Sequence, residues 1–366
     1  MNTDKRRFIS AAILALIAIC ASPSAHAADD WKQDWDKTVA AANKEGELIV
    51  SGPVGKLWSD FLIPRFQKDY PGITLKMTSF AARDFWVRFM KEREVGLYLW
   101  DLRLGGTDTS LFTLLHQGAI APIRPLLVLP DNTKDDEFYG GIDGLFADNA
   151  KTHLLTFGFQ TSQTSFYNKA IIPQGITAAD LVKPEWTGKI SMDDPRGGSV
   201  FNQLAVLDKV FGDDYLRTLL LKQKVVIPGS KRQQVEWMVS GRYPIGFGVV
   251  AEDIIEYGQR GARTDMIEQV KSPAESFTQS FGGISLIDKA PHPNAAKVFI
   301  NWILTKDVQT ELDAVVKINS RRKGVPLGAP HNAIDVTRLD HYFGHQTEDF
   351  EQYHNKVAEV VREMPR

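Results

Sequence analysis

Residues 47–77 read ELIVSGPVGKLWSDFLIPRFQKDYPGITLKM, and this stretch decides the fold class. Glu47–Ser51 is a short apolar run typical of a buried strand, and Gly52–Gly55 forms a turn. A helical pattern then covers about Lys56–Tyr70, where Pro-Gly ends it, and Ile73–Met77 is a second strand. A strand, a crossover helix and a second strand form a βαβ unit, which predicts a parallel sheet in an α/β protein.

The same rhythm continues on both sides of this unit. An amphipathic helix is predicted before it at about Trp31–Lys44, and after it Arg83–Glu94 is helical and Leu97–Leu102 is strand-like. Gly105–Ser110 then forms a turn with helix-capping residues before the helix Leu111–Gln117. In an open α/β sheet, ligands bind where such strands end, so these turns are candidate binding loops.

The rest of the chain has α/β character as well, with elements of its own. The predicted elements are strands at His153–Tyr167 and Lys189–Met192, a helix at Ser199–Val210, strands at Ile245–Val250 and Phe277–Ile287, and a helix at Asn294–Leu304. A chain of 366 residues exceeds the usual size of a single hydrophobic core. We therefore predict two α/β lobes, and because no low-complexity linker separates them, we expect strands to cross between them.

The N-terminal residues have the pattern of a secretory signal peptide. Lys5–Arg7 form a positive segment, Phe8–Ala21 is apolar, and Ala25-His26-Ala27 supplies the small residues that signal peptidase needs. The apolar run is shorter than the roughly 20 residues of a membrane span, and a retained membrane anchor is the alternative. We predict that residues 1–27 are removed and that the mature protein is periplasmic.

Cysteine content and charge exclude several classes of site and partner. The one cysteine, Cys20, lies inside the predicted signal peptide, and the large Ile19 before it does not fit a lipoprotein signal. The mature chain then has neither a disulfide nor a thiolate site. Of the 43 basic and 45 acidic residues, three and one fall in residues 1–27, which leaves 40 against 44. This mildly acidic balance argues against a nucleic-acid partner, which needs a basic patch.

Four segments of the chain resemble one protein family. They are AANKEGELIVSG (41–52), LHQGAIAPI (115–123), LVKPEWTGKISMDDPRGGS (181–199) and APHPNAAKVFINWILTKDVQ (290–309). In this order they resemble the type 2 periplasmic substrate-binding proteins of ABC importers, in extracellular solute-binding family 1 with the ferric-iron, thiamine and phosphonate binders. The resemblance covers most of residues 35–328, and the tail beyond Pro330 has no counterpart that we can place.

The resemblance implies two α/β lobes, each a mainly parallel sheet flanked by helices, joined by two crossing strands near Phe157–Thr164 and Phe277–Gly283. Lobe 1 would comprise residues 28–157 and 278–330, lobe 2 residues 158–277, and the tail 331–366 would pack on the lobes. The resemblance also implies a non-enzymatic monomer without a cofactor. Such a protein closes on a small-molecule ligand by hinge motion and delivers it to the membrane permease and ATPase subunits of an importer.

The turn Asp194–Ser199 is the best candidate for an anion site. Gly197 and Gly198 let the backbone approach a ligand closely. The helix that follows points free N–H groups and the positive end of its dipole at the turn. Arg196 adds a planar fork suited to a carboxylate or phosphate, and Ser199 is a cap or a ligand donor. The alternative is an ordinary glycine-rich turn with a solvated arginine.

Other loops at the ends of predicted strands complete the candidate cleft, with helix capping as their alternative role. Arg83 near a helix N-terminus would suit an anion, with a plain surface position as the alternative. The candidate ligand-binding residues are Ser51, Gly52, Pro53, Arg83, Thr107, Asp108, Arg196, Gly197, Gly198, Ser199, Ser230, Phe247 and Gly248. The cationic residues and helix N-termini favour a small anionic ligand such as a carboxylate, phosphonate or phosphate ester.

Iron is the first specific ligand to consider. The ferric-binding members of the resembling group hold their metal with adjacent tyrosines after the strand that here reads Ile245–Gly248, where this chain has Val249-Val250. Valine cannot coordinate Fe(III), which needs hard, anionic oxygen ligands. The alternative is a remodelled iron site built from Glu252, Asp253 and Tyr257, although such residues more often lie on a solvated helix face.

No pattern in the sequence indicates an enzyme. The chain lacks a Gly-x-Ser-x-Gly elbow, a phosphate-binding P-loop and a His-Glu-x-x-His motif. Asp193 and Asp194 are adjacent on a strand and point to opposite faces, so they would not easily share one substrate. His341 and His345 have the spacing of zinc ligands on a helix, but Gly344 lies between them. A periplasmic hydrolase and a sensor partner with the same fold are the alternatives from other classes.

Overall fold

The computed structural model describes residues 24–107, 109–162, 165–196, 198–273, 275–279 and 282–364. The helices are α1 (Ser24–Glu45), α2 (Leu57–Asp69), α3 (Ala82–Glu94), α4 (Thr109–His116), α5 (Gly198–Phe211), α6 (Asp213–Arg217), α7 (Lys231–Ser240), α8 (Ala251–Gln259), α9 (Pro293–Ile303), α10 (Lys306–Val316) and α11 (Glu351–Arg362). Within the described ranges, no helix is long and apolar enough to cross a bilayer. Most of the predicted signal peptide lies outside these ranges.

Short strands alternate with the helices along the chain. They are β1 (Glu47–Gly52), β2 (Thr74–Ser79), β3 (Leu102–Leu104), β4 (Ile120–Ala121), β5 (Leu154–Thr156), β6 (Gln160–Thr161), β7 (Ser165–Asn168), β8 (Ile190–Met192), β9 (Ile245–Phe247), β10 (Ile267–Gln269), β11 (Ser276–Thr278), β12 (Gly283–Ile287) and β13 (Phe343–Gly344). The run predicted as strand at His153–Tyr167 is therefore divided into three short strands.

Within the part of the chain that the structure describes, the strands form two main sheets and a small third one. The first sheet has the order β2-β1-β3-β12-β4, with β5 paired to β12, and the second has the order β10-β7-β9-β8. We call each main sheet with its packed helices lobe 1 and lobe 2. The α/β class is confirmed, but both sheets are mixed instead of mainly parallel. The reason is that β7 and β12, which follow the crossing segments, enter their sheets antiparallel to their neighbours.

The predicted βαβ unit forms the centre of lobe 1. Leu48 and Val50 of β1 are fully buried, and α2 presents Trp58, Leu62 and Phe66 to the core. These three side chains recur every fourth residue, which places them on one face of the helix. β1 pairs in parallel with β2 and β3, as the pattern predicts. The carboxyl ends of the three strands therefore lie at one edge of the sheet.

The third strand of lobe 1 begins later than the sequence predicts. The run Leu97–Leu102 is a loop for most of its length, and the strand covers Leu102–Leu104. The buried carboxylate of Asp101 accepts a hydrogen bond from the Ile49 backbone N–H at 2.7 Å. This bond fastens the loop to β1 before the strand ladder begins, so the apolar residues ahead of it stay outside the sheet, with Leu97 49% exposed.

Paired strands lie between the two lobes. β6 lies within the first segment predicted to cross and β11 overlaps the second, and the two strands pair antiparallel, with Thr161 opposite Phe277. β13, from the C-terminal segment, pairs in parallel with the other side of β11. We call these three strands the hinge sheet. The C-terminal helix α11 packs on α5, and its residues Val357, Val360 and Val361 join the core of lobe 2.

Candidate functional site

A buried arginine lies at the carboxyl ends of the first strands of lobe 1. Arg103, in β3, is 5% exposed. Its Nη1 donates hydrogen bonds to Ser51 Oγ at 3.0 Å and to the Gly52 carbonyl at 2.8 Å. Its Nη2 lies 3.4 Å from the Phe80 carbonyl, which follows β2. The guanidinium thus gathers the ends of three strands and brings positive charge to the edge where α/β proteins bind ligands.

Packing holds this arginine in place as well as hydrogen bonding. Its Cζ lies 5.3 Å from the centroid of the Phe85 ring. A Cβ at Gly105 would lie only 3.1 Å from Nη2, so a residue without a side chain makes room for the guanidinium. Sequence reasoning missed Arg103, and the signal that could have found it is an arginine between two apolar strand residues directly before a Gly-Gly turn.

The predicted ligand residues of lobe 1 have different surroundings. Ser51 and Gly52 contact Arg103, and the half-buried Pro53 follows them. Thr107 is buried and donates its hydroxyl proton to the Gln346 carbonyl at 2.6 Å, so another part of the chain already uses this donor. Asp108 lies outside the described residues.

Arg83 lies at the exposed surface of α3 and not beside Arg103. Its side chain is exposed, and it lines a groove of about 370 Å³ with Val87 and Lys91 further along the same helix. This position agrees with the alternative of a plain surface role. A contribution to ligand binding would require the ligand to extend over the start of α3.

A second polar cluster lies at the carboxyl edge of lobe 2. The Lys231 ammonium lies 2.7 Å from the Asp193 carboxylate and also donates to the Gly248 carbonyl. The Asp193 backbone N–H donates to the Phe247 carbonyl at 2.8 Å. Gly248 has a φ of +94°, and a Cβ there would lie 2.5 Å from the Asp193 Cβ, so this tight approach requires glycine. The turns after β8 and β9 therefore meet at the start of α7.

The predicted anion turn lies beside this cluster. Arg196 Nε donates to Asp194 Oδ1 at 2.7 Å, and the Arg196 side chain is 64% exposed. This hydrogen bond from Arg196 lowers the pKa of the Asp194 carboxyl. α5 begins at Gly198 and the half-buried Ser199 is in its first turn, while Gly197 lies outside the described residues. The turn thus has the helix N-terminus that the sequence predicts, with its arginine held by a neighbouring carboxylate.

Two further predicted contacts are engaged within lobe 2. The Ser230 hydroxyl accepts a hydrogen bond from the Gln233 backbone N–H at 3.2 Å and caps α7. The Phe247 side chain is fully buried in the core of lobe 2, and its role as a ligand contact stays a prediction. All three residues of β9, Ile245–Phe247, are buried.

The positions compared with iron-binding tyrosines contribute no metal ligand. Val249 is buried in an apolar cluster with Phe166 and Met238. Burial alone would raise the pKa of Glu252, but hydrogen bonds, including those from Asn332 and His331, lower it overall. Among the residues that the structure describes, no group of three or more His, Cys, Asp or Glu side chains could hold a metal ion.

The two histidines with zinc-like spacing have different environments. His345 is 1% exposed, whereas the His341 side chain is 58% exposed and lies 3.9 Å from the Asp340 carboxylate. The chain between them leaves a 3-10 turn and enters β13, so the helical spacing that would bring both rings to one metal does not form.

Two α/β lobes with a hinge sheet between them define the class: the chain has the type 2 periplasmic binding protein fold. A family model described as bacterial extracellular solute-binding protein matches residues 62–333. The chain belongs to this family, which is extracellular solute-binding family 8 and not the family 1 that the sequence resemblance suggested. It is the solute-binding component of an ABC import system.

Solved structures share the fold at low sequence identity. Apo FutA2 from Synechocystis PCC6803 matches with a TM-score of 0.65 and 13% identity, covering 87% of this chain and 98% of that one. The apo ferric ion-binding protein A of Pasteurella haemolytica matches with a TM-score of 0.60 and 15% identity, covering 86% and 98%. AfuA from Actinobacillus pleuropneumoniae, with exogenous fructose-6-phosphate bound, has a TM-score of 0.54 and 15% identity, covering 87% and 99%.

One sequence relative also spans most of the chain. It is an uncharacterized protein of Haemophilus influenzae, 22% identical over 288 residues, which are 74% of this chain and 76% of that protein. At these identities the likenesses establish the fold and leave the ligand to be argued from this chain's own residues.

Proposed function

We propose that the protein binds a small anionic solute between its lobes and closes on it by hinge motion. Arg103 carries this proposal, because its buried guanidinium sits among the oxygens of Ser51, Gly52 and Phe80 at the strand edge of lobe 1. Guanidinium groups match carboxylates and phosphates in shape, and charge-assisted bonds are roughly twice as strong as neutral ones. The anion would be carried in the periplasm to the permease and ATPase of the importer.

Closure follows if both lobes contribute contacts. A ligand that binds the two lobes together binds the closed arrangement more tightly than the open one and shifts the population toward closure. The turn before α5 is the partner surface on lobe 2, since a helix N-terminus attracts anions. Arg196 is held there by Asp194, so an incoming ligand would compete with this carboxylate for the guanidinium.

The Arg103→Gln substitution tests whether the Arg103 guanidinium binds the anion. Glutamine keeps a hydrogen-bond donor but removes the charge, and loss of a charge-assisted bond costs about 1.5–3 kcal/mol, or roughly 10- to 150-fold in affinity. Isothermal titration calorimetry with inorganic phosphate, citrate and fructose-6-phosphate measures the change for whichever probe binds. The matched control is Arg65→Gln, since Arg65 binds Asp69, Asp307 and Glu311 on α2 and α10. Equal affinities of the Arg103 variant and the parent protein would contradict the proposal.

Arg196→Ala probes the lobe 2 side of the cleft. If the arginine turns from Asp194 to the ligand on closure, the substitution weakens binding of the same probe by about 1.5–3 kcal/mol. Arg232→Ala is the control, because Arg232 pairs with Glu236 along α7 and is similarly exposed. An affinity that is unchanged in the Arg196 variant would remove this residue from the site.

A further inference from the structure

Residues near the C-terminus bind to both lobes within a very short stretch. Phe350 is 2% exposed and belongs to the core of lobe 2. Glu348, just before it, is bound to lobe 1. Its backbone N–H donates to the Ala147 carbonyl at 3.0 Å, and its carboxylate accepts from the Asn149 N–H at 2.7 Å and lies 2.7 Å from His116 Nε2. Only one residue separates Glu348 from Phe350, so the two attachments cannot move far apart while both are kept.

The attachment points of Glu348 are firmly part of lobe 1. His116 is the last residue of α4, whose Leu111 and Leu114 are buried in a lobe 1 cluster. Ala147 belongs to the same cluster, together with Leu154 of β5. Movement of Glu348 away from these groups would therefore mean movement relative to lobe 1 as a whole.

The residues just before Glu348 also contact the hinge sheet. Gln346 is 8% exposed, and its side-chain oxygen accepts from Thr278 Oγ1 at 2.7 Å and from the Gln279 N–H at 2.9 Å. Its carbonyl accepts from Thr107 Oγ1 of lobe 1 at 2.6 Å. One residue thus connects a strand of the hinge sheet with a loop at the strand edge of lobe 1.

Residues 321–339, which precede this stretch, also pack on the two crossing segments. The Arg321 guanidinium is buried and lies 4.8 Å from the Phe159 ring and 5.0 Å from the Phe277 ring, which come from the two crossing segments. Ile334 and Leu339 pack onto this group of rings. The side of the crossing segments that carries the Phe159 and Phe277 rings is therefore covered by residues 321–339.

We propose that residues 343–350 form an interlobe strap that holds the hinge near the described arrangement, with Glu348 as its attachment to lobe 1. A two-lobed binding protein opens by rotation about its crossing strands. Because the strap is anchored in lobe 2 at Phe350, opening requires Glu348 to release lobe 1. The family match ends at residue 333, so the strap lies beyond the part of the chain matched by the family model.

Distance measurements in the ligand-free protein test the strap. Spin labels are attached through Lys91→Cys on lobe 1 and Lys222→Cys on lobe 2, two exposed positions, in a chain whose only native cysteine is Cys20. Electron–electron double resonance then compares the labelled protein with its Glu348→Ala variant. We expect the variant's interlobe distances to broaden and shift to longer values. The control Glu359→Gln changes a carboxylate of α11 that faces Arg217 within lobe 2, and should leave the distances unchanged.

A second variant approaches the same contact from the other side. His116→Phe removes one of the partners of Glu348 on lobe 1 without touching α11, so loss of folding of the C-terminal helix cannot explain its effect. We expect a shift in the same direction and of smaller size. Distance distributions of both variants that match the parent protein would overturn the strap. No ligand is added, so this outcome would leave the proposed anion binding to its own test with Arg103.

Discussion

At pH 8, the Asp313→Asn substitution is expected to raise the free energy of unfolding by about 2–4 kcal/mol. Asp313 of α10 is fully buried, and its Oδ2 accepts a hydrogen bond from the Ser320 N–H at 2.6 Å. Its Oδ1 has no hydrogen-bond partner in the described structure. Burial raises the pKa of this carboxyl to about 8.

The direction of the effect follows from the two states of the chain. The unfolded chain ionises Asp313 above its ordinary pKa of 3.8, whereas the folded protein keeps the proton until about pH 8. The stability that the neutral carboxyl contributes is therefore lost as the pH rises from about 4 to about 8, a loss of roughly 5 kcal/mol. Asparagine keeps the acceptor for Ser320 and cannot ionise, although its buried amide N–H groups offset part of the gain.

Urea unfolding at pH 5 and pH 8 measures this effect, with the larger gain expected at pH 8. Asp136→Asn, at an exposed position, is the control and should change little at either pH. A gain that is absent at pH 8 would contradict a neutral Asp313. The result also concerns the first crossing segment, because Asp313 holds Ser320 beside it. Ser320 forms an antiparallel β-bridge with Gly158, and the next residue, Arg321, donates its N–H to the Phe157 carbonyl at 2.7 Å.

Acidification from pH 7.5 to pH 5 is expected to cost about 4 kcal/mol of stability through two buried histidines. Burial lowers the pKa of His345 to about 3, with a further contribution from the charge of His354, and burial lowers the pKa of His354 to about 4. The unfolded chain takes up protons below about pH 6.5, while the folded protein keeps both rings neutral. Stability is therefore lost as the pH falls from about 6.5 toward 4, roughly 2 kcal/mol for each ring at pH 5.

The His354→Phe variant isolates one of these rings. His354 stacks on Phe201 at 5.3 Å between ring centroids, and neither of its ring nitrogens has a hydrogen-bond partner in the described structure. Phenylalanine keeps the stacking and removes two unsatisfied buried atoms, which should stabilise the protein at neutral pH by about 1–3 kcal/mol. It should also reduce the acid loss by about 2 kcal/mol.

Chemical unfolding at pH 7.5 and pH 5 gives both numbers for this variant. His341→Phe, at an exposed position, serves as the control and should retain the full acid loss. A His354 variant as acid-sensitive as the parent protein would show that the ring is not held neutral. Since His354 lies on α11, which anchors the strap in lobe 2, the acid loss would also weaken that anchor.

The centre of the fold could be predicted because its signals are local. Gly46 and the Pro-Gly pair at residues 71–72 delimit β1, α2 and β2, and the buried face of α2 repeats every fourth residue. The start of β3 could not be predicted, because the loop before it is as apolar as a strand and a buried hydrogen bond from the Ile49 N–H to the Asp101 carboxylate decides the register. The antiparallel entry of β7 and β12 depends on which lobe the chain has just left, which no local pattern records.

The turns that carry the candidate site could be located from the sequence for the same reason. Glycines, capping residues and strand ends point to the turns at Ser51-Gly52 and Asp193–Ser199, and the structure places polar clusters there. Arg103 was missed because a charged residue in a strand is usually assigned to the solvent side. The hydrogen bond from the Thr107 hydroxyl to the Gln346 carbonyl joins residues 239 positions apart. Such a contact exists only once the lobes and residues 343–350 are folded together.

The central claim, that this receptor holds a small anion through Arg103, is tested most directly by a thermal-shift screen of the refolded protein and its Arg103→Gln variant. The probes are inorganic phosphate, citrate, fructose-6-phosphate, ferric citrate, thiamine and a polyamine. We predict that one anion stabilises the parent protein selectively, by about 2.7 kcal/mol at 100 times its dissociation constant, and that the variant loses this stabilisation. Stabilisation by thiamine or the polyamine alone, or by ferric citrate with a charge-transfer absorption band that the variant retains, would contradict the account.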